Sequence, residues 1–377
     1  MIYEPYSSFP FPEVFREVYH NLPYFFINPS GLNALSTKSK EMLVRSRAVV
    51  AEFLKCANSE VIFTSSSTES NNLAIKGAVW NKRGSIITTD FEHPSILHPL
   101  KTLSEKQGLK VVYLETDKTG FIEPERVKEA VSEDTLLVTM GAVCRETATL
   151  RDVNGIIRAV KEANPNTLCH FDLWGLYYPT SQIDLRELDM ASLDGPFLFG
   201  PQGVGVLYVR KNVRIRPLIE GGTQERGLRA GEENLFGIFS LSKSLALLME
   251  REEAVKKSLS LCDRYIMENL SLPPVFKEGW KAPGLFSYGL KDMEAEMLIS
   301  FMEKKGYFLS YPSPCMANRI KSRIKEKCGF EDLLFVRVPP LTSIGDIKTF
   351  LNDSPLIFSA KGKVSLCQLY EGRAPIC

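Results

Sequence analysis

Between residues 40 and 245 or so the chain alternates two hydrophobic rhythms. Short apolar, β-branched runs bounded by turn residues recur as "EVIFTS" (60–65), "GSIITTD" (84–90), "KVVYLET" (110–116), "DTLLVTMGAV" (134–143), "TLCHFDLW" (167–174), "DMASLD" (189–194) and "GVGVLYVR" (203–210). Runs of that length and composition predict buried strands. Between them, "STKSKEMLVRSRAVVAEFLK" (36–55), "TESNNLAIKGAVW" (68–80), "EPERVKEAV" and "DVNGIIRAVKEA" place apolar residues three to four apart, the spacing of a helix with one buried face. Strand and helix in alternation predict an α/β fold, a mostly parallel seven-stranded sheet covered on both faces.

The rhythm changes near residue 245. "LFGIFSLSKSLALLMEREEAVKKSLSLCDRYIMENL" (235–270) reads as one long helical stretch leaving the sheet. Short strands and helices then alternate with frequent prolines. This predicts a large α/β domain over 16–245 and a smaller α+β domain formed by 1–15 and 246–377. No internal repeat is present.

Charge narrows the function classes. With 46 basic and 45 acidic side chains the net charge is +1. That balance gives no electrostatic footprint for nucleic acid or an anionic membrane. No apolar run approaches the ~18 residues of a membrane span. The proline-broken, acidic N-terminus is wrong for a signal peptide, so a cytoplasmic location is expected. The eight cysteines are scattered and none forms a C-x-x-C pair, so neither a disulfide framework nor a zinc site is expected. His93 and His98 are five apart, which is not the spacing of a helical metal pair.

Several segments carry candidate chemistry. In "FTSSSTESNNLAIKG" (63–77) a Ser/Thr-rich turn joins a strand to a helix, with Ser67 or Thr68 as the cap. Such a helix start can hold a phosphate, or simply be well capped. His93 follows a strand end, where loops of parallel sheets carry function. Asp172 sits at another strand end inside an apolar run. A buried carboxylate there needs a positive ring nitrogen, an arginine or a hydrogen-bond network. "GPQGVGVLYV" contains G-x-x-G-x-G but precedes a strand, so it is not a dinucleotide loop. "EGGTQERGLRAGEEN" (220–234) is too specialised for a plain connector and is read as lining a site or an oligomer interface. Cys315 precedes a basic helical segment, a setting that lowers a thiol's pKa.

In their order along the chain, "TESNNLAIKG", "EHPSIL", "HFD", "GPQGVGVLYVR", "QERGLRAGEEN" and the Cys315 loop resemble the cysteine desulfurase family, class V aminotransferase-like proteins of pyridoxal-phosphate (PLP) fold type I. The resemblance covers nearly the whole chain. It implies that Ser67 and Thr68 lie at the phosphate cradle, His93 stacks on the cofactor ring, and Asp172 pairs with the ring nitrogen. It further implies that Arg337 binds the substrate carboxylate and that Cys315 accepts sulfur, in the service of iron–sulfur cluster assembly.

The departures cluster. Where the family reads roughly Ser-x-His-Lys before "GPKG", this chain reads Asp194-Gly195-Pro196-Phe197 before "GPQG". Phe197 thus replaces the Schiff-base lysine, and Asp194 and Pro196 replace phosphate ligands. Arg145 stands at a family asparagine and Glu232 at a threonine that reaches a neighbouring subunit's phosphate. PLP chemistry needs a lysine to hold the cofactor and move protons, and a carboxylate ~4 Å from another anion costs about 4 kcal/mol at an effective dielectric near ~20. The leading expectation is a pseudoenzyme of the desulfurase fold that does not bind PLP. It acts as a partner or scaffold in sulfur transfer or iron–sulfur cluster assembly. It forms a homodimer, or pairs with an intact paralogue or a cluster-assembly scaffold protein. Two alternatives stand beside it: an active PLP-dependent desulfurase, lyase or class V aminotransferase with atypical cofactor binding, and a binding module that uses the emptied pocket.

Overall fold

The computed structural model describes residues 10–270, 272–290, 295–307, 309, 326–330 and 332–353. Chain contacts divide it into two compact units. The larger holds the described residues up to Arg145 together with Thr149–Arg251. The smaller holds Glu146–Ala148 and the described residues from Glu252 onward.

In the larger unit all seven predicted runs are strands: β1 (Val61–Thr64), β2 (Ser85–Thr89), β3 (Lys110–Leu114), β4 (Thr135–Gly141), β5 (Leu168–Asp172), β6 (Met190–Asp194) and β7 (Gly205–Val209). They form one sheet in the order β1-β7-β6-β5-β4-β2-β3. The neighbours from β6 through β3 run parallel, whereas β7 is antiparallel to both β1 and β6. β1, β2, β5, β6 and β7 are buried almost throughout, because cover on both faces removes inside–outside alternation from such strands. This is the mostly parallel α/β sheet expected from the sequence.

The helices of this unit are α1 (Pro12–Asn21), α2 (Ala34–Leu54), α3 (Ser67–Ala78), α4 (Pro94–Gln107), α5 (Pro124–Ala130), α6 (Val153–Ala163) and α7 (Leu235–Glu250). One core cluster joins Leu73, Ile75 and Val79 of the α3 region and Ile96 and Leu100 of α4 to Ile62, Ile86, Leu137, Met190 and Leu207 of the sheet. α1 is tied to the middle of α7 by Lys243–Glu17 at 3.1 Å and to its C-cap by Arg251–Glu13 at 2.7 Å.

The long helical stretch after 235 is two helices, α7 and α8 (Glu252–Asn269), broken at Arg251, whose backbone is non-helical. Its hydrophobicity alone did not reveal the break, because apolar spacing continues on either side. The smaller unit comprises α8, α9 (Ala295–Glu303), α10 (Ile344–Asp353) and an antiparallel pair, β8 (Leu285–Leu290) and β9 (Asp332–Arg337). Both strands are wholly buried. The Glu146–Ala148 segment joins this unit through Ser287 Oγ, which donates to the Glu146 carbonyl at 2.7 Å, and Ala282 N–H, which donates to the Ala148 carbonyl at 2.9 Å.

Candidate functional site

The C-terminal ends of the parallel strands are where open α/β sheets place their chemistry. Here they carry His93 after β2, Arg145 after β4, Asp172 at the end of β5 and Asp194 at the end of β6. A buried lock holds the first two exits in place. Glu92 accepts from Thr89 Oγ1, from the Gly141 N–H at 2.8 Å and from the Arg151 guanidinium. Arg151 also donates to the Gly120 carbonyl at 3.0 Å and the Gly141 carbonyl at 2.8 Å. Both side chains are buried, so the lock fixes the turn into His93 against the end of β4.

Asp172 is 2 % exposed, and its charge is met in full. Its Oδ2 accepts from Arg145 Nη2 at 3.1 Å and from Asn71 Nδ2 at 3.0 Å. Its Oδ1 accepts from the Trp174 N–H at 3.1 Å. Burial pushes the carboxyl up, but Arg145, Asn71 and the Trp174 N–H outweigh it and hold the group below its ordinary value. Of the three partners the sequence left open for Asp172, the structure supplies an arginine and a hydrogen-bond network. The Arg145 Cζ also lies over the Trp174 ring, 4.5 Å from its centroid, a cation–π contact.

His93 caps α4. Its Nδ1 accepts from the Ser95 N–H at 3.2 Å and lies 2.8 Å from Ser95 Oγ, which in turn accepts from Asn71 Nδ2 at 2.8 Å. An accepting Nδ1 places the ring proton on Nε2. Burial first, and then the Arg145 charge, drive the imidazole down to about 3, so it is neutral near pH 7.

At the start of α3 the structure corrects one assignment. The N-cap is Ser66, whose side chain accepts from the Glu69 N–H, and not Ser67 or Thr68. The backbone at Ser66 is still extended and the helix begins at Ser67, two residues earlier than a Thr68 cap would place it. Ser67 Oγ is left to donate to Asp194 Oδ1 at 3.1 Å, and the Phe197 N–H donates to Asp194 Oδ2 at 3.2 Å. Burial pushes the Asp194 carboxyl up, with nearby Asp172 adding to the effect and Arg145 opposing it. Thr68 is exposed.

Phe197 follows Pro196 in a single 3-10 turn, Pro196–Leu198. It is 1 % exposed and stacks on Tyr177 at 4.9 Å between centroids, with Trp174 at 5.4 Å. Among the described residues, no lysine is hydrogen-bonded or ion-paired to Arg145, Asp172 or Asp194.

The structure therefore brings together Ser67, His93, Arg145, Asp172, Asp194 and Phe197. It adds Asn71, Ser95, Trp174 and Tyr177, which the sequence did not single out. Asn71 carried a signal, a polar residue on the inward face of α3. Glu232 is not in this group within one chain: it is exposed and accepts from Asn28 Nδ2 at 2.9 Å. The 220–234 loop is clasped to the large unit instead. Glu225 accepts from Arg47 of α2 and from the Phe63 N–H of β1 at 2.9 Å, and Arg229 pairs with Glu69 of α3 at 3.1 Å. Arg337 ends β9 of the smaller unit, in register with Leu285, and is buried. Cys315 lies outside the described residues. Among the described residues no group of three or more His, Cys, Asp or Glu side chains could hold a metal ion.

The family model for aminotransferase class-V matches residues 7–324. A cysteine desulfurase IscS from Clostridium botulinum is 34% identical over 339 residues, covering 83% of this chain and 82% of that protein. A mitosomal cysteine desulfurase from Trachipleistophora hominis is 35% identical over 341 residues, covering 83% of this chain and 75% of its own length. A solved NifS-like protein superposes with a TM-score of 0.84 at 26% identity, covering 96% of this chain and all of its own.

Proposed function

We propose that this chain, which belongs to the aminotransferase class-V family and is homologous to cysteine desulfurases of the IscS and NifS kind, has given up PLP catalysis. In this reading it keeps the desulfurase fold as a partner or scaffold in sulfur transfer or iron–sulfur cluster assembly. Its location is cytoplasmic, and among the described residues no helix is long and apolar enough to cross a membrane. Cys315 is its sulfur-accepting thiol.

The observation that carries this reading is the packing of residue 197. A PLP enzyme of this family presents a lysine there. Here an aromatic ring is buried between Tyr177 and Trp174, and no lysine among the described residues bonds to the neighbouring charges. The other cofactor contacts fit no better. The carboxylate that should meet a ring nitrogen already accepts three hydrogen bonds, one of them from a guanidinium. A second carboxylate, Asp194, stands at the helix start where a phosphate is to be held. No step through PLP is therefore derived for this chain. Purified protein mixed with PLP and L-cysteine is expected to show no absorbance band near ~400 nm and to release no sulfide. A stable band together with sulfide release overturns the reading.

A second reading, a binding module that uses the pocket for another ligand, draws support from Asn71. Its Oδ1 is buried and has no partner among the described residues, so it can accept from a ligand's donor.

A further inference from the structure

We propose that the chain fills its PLP-type site with its own charges: Arg145 takes the part of the cationic ring and Asp194 the part of the anion. The inference rests on the reading that PLP catalysis is lost, and it adds why restoring the lysine alone does not bring the cofactor back.

A protonated pyridine ring offers its carboxylate partner three things: a flat shape, a positive charge and an N–H in the plane. The Arg145 guanidinium offers the same three to the same oxygen. Its Nη2 is 3.1 Å from Asp172 Oδ2, and its Cζ lies over Trp174, 4.5 Å from the ring centroid. Arginine is the side chain suited to this, because its charge is planar, permanent and less strongly hydrated than an ammonium. Asp172 has Asn71 and Trp174 N–H as its other donors, which leaves little acceptor capacity for a second cation.

The anion is matched in the same way. The first turn of α3 presents the positive end of the helix dipole. Asp194 enters there from the end of β6, held by Ser67 Oγ at 3.1 Å and by the Phe197 N–H at 3.2 Å. Arg145 lies between the two carboxylates electrically, since it draws both Asp172 and Asp194 toward their charged forms. One cation and two anions, tied to α3, β5, β6 and the exit of β4, form a closed set that is part of the fold.

Two measurements test this. In the first, Phe197→Lys alone and the triple variant Phe197→Lys/Arg145→Asn/Asp194→Ser are incubated with PLP, reduced with borohydride and mapped for a pyridoxyl-lysine. The modified peptide is expected from the triple variant and not from Phe197→Lys. Equal labelling of the two overturns the inference while leaving the reading of the natural chain intact. PLP binding with sulfide release by the natural chain overturns the reading itself. In the second, Arg145→Ala is heated with and without guanidinium chloride at low, non-denaturing concentration, against sodium chloride of equal ionic strength. Guanidinium is expected to return more than half of the lost thermal midpoint and to leave the natural chain unchanged. Recovery no greater than with sodium chloride overturns the inference. Arg145→Asn, which keeps a polar side chain, provides the same comparison where the alanine variant does not fold.

Discussion

His170 shows how burial sets a residue's behaviour. It lies in the middle of β5, fully buried, with Nδ1 at 2.8 Å from Thr139 Oγ1 and Nε2 at 2.9 Å from Ser192 Oγ. Burial drives its pKa from 6.5 down to about 4 despite the attraction of Asp172. A depressed folded-state value means that below pH 6.5 the unfolded chain binds a proton that the folded chain refuses. Stability is therefore fully present above pH 6.5 and is lost as pH falls toward 4. His93, lowered to about 3, acts with the same sign. Asp194 acts with the opposite sign, since its folded value is raised. The histidine contribution is isolated by comparing urea midpoints of the natural chain and His170→Asn from pH 7 to pH 4.5. The variant is expected to be less stable at pH 7 and to lose less on acidification, by roughly 1.4 kcal/mol per pH unit below 6.5. Parallel curves for the two proteins would contradict the assignment. A histidine set in an apolar run, between Cys169 and Phe171, does not announce its partners in the sequence. Only the packing of β5 between β4 and β6 shows that its hydrogen-bond partners are two hydroxyls, Thr139 and Ser192.

At the scale of elements, the strands were readable because parallel strands buried on both faces are continuous apolar runs. Their order and the reversal of β7 were not, since both depend on pairing between distant segments. The glycines of "GPQGVG" illustrate the division. Their place ahead of a strand ruled out a dinucleotide loop, but their purpose appears only in three dimensions. A Cβ on Gly205 would stand 2.4 Å from the Ser66 carbonyl carbon and 2.8 Å from Ser66 Cα. β7 and the cap of α3 thus approach backbone to backbone. Gly205→Ala is expected to lower stability by about 1–3 kcal/mol through forced displacement, measured by denaturant unfolding. Because the displaced atoms belong to the α3 cap, exchange protection should drop at the Glu69 amide. Unchanged protection there would show that the strain is absorbed elsewhere. The same limit explains the misplaced cap. Ser65 to Thr68 are all acceptable cap residues, and only the end of β1 at Thr64 and the extended Ser66 choose between them. The pocket residues divide likewise. His93, Asp172 and Phe197 stood out by motif, whereas Arg145 reaching Asp172, and Trp174 and Tyr177 closing around it, are products of tertiary packing.

For the molecule as a whole, the described surface of the larger unit exposes Phe15, Tyr19, Phe26, Leu32 and Val44 between α1 and the middle of α2. Large apolar side chains concentrated in one segment mark an interaction surface more often than a solvated one. This supports the proposed homodimer of 42.4 kDa chains. Sedimentation equilibrium at micromolar concentration is expected to give twice the chain mass, and Phe26→Asp with Leu32→Glu to shift it toward the monomer. A natural chain that sediments as a monomer removes the dimer from the reading.

The Glu92–Arg151 lock has a consequence for how such a chain can change over generations. Loss of either member strands a buried charge, which costs about 3–5 kcal/mol, whereas loss of both in favour of apolar groups can be nearly neutral. That deficit is a large share of the 5–15 kcal/mol by which a typical domain is stable. The two positions are therefore tied to one another on any mutational path. The exits of β2 and β4, with the histidine and arginine that follow them, stay pinned whichever other residues of the site change.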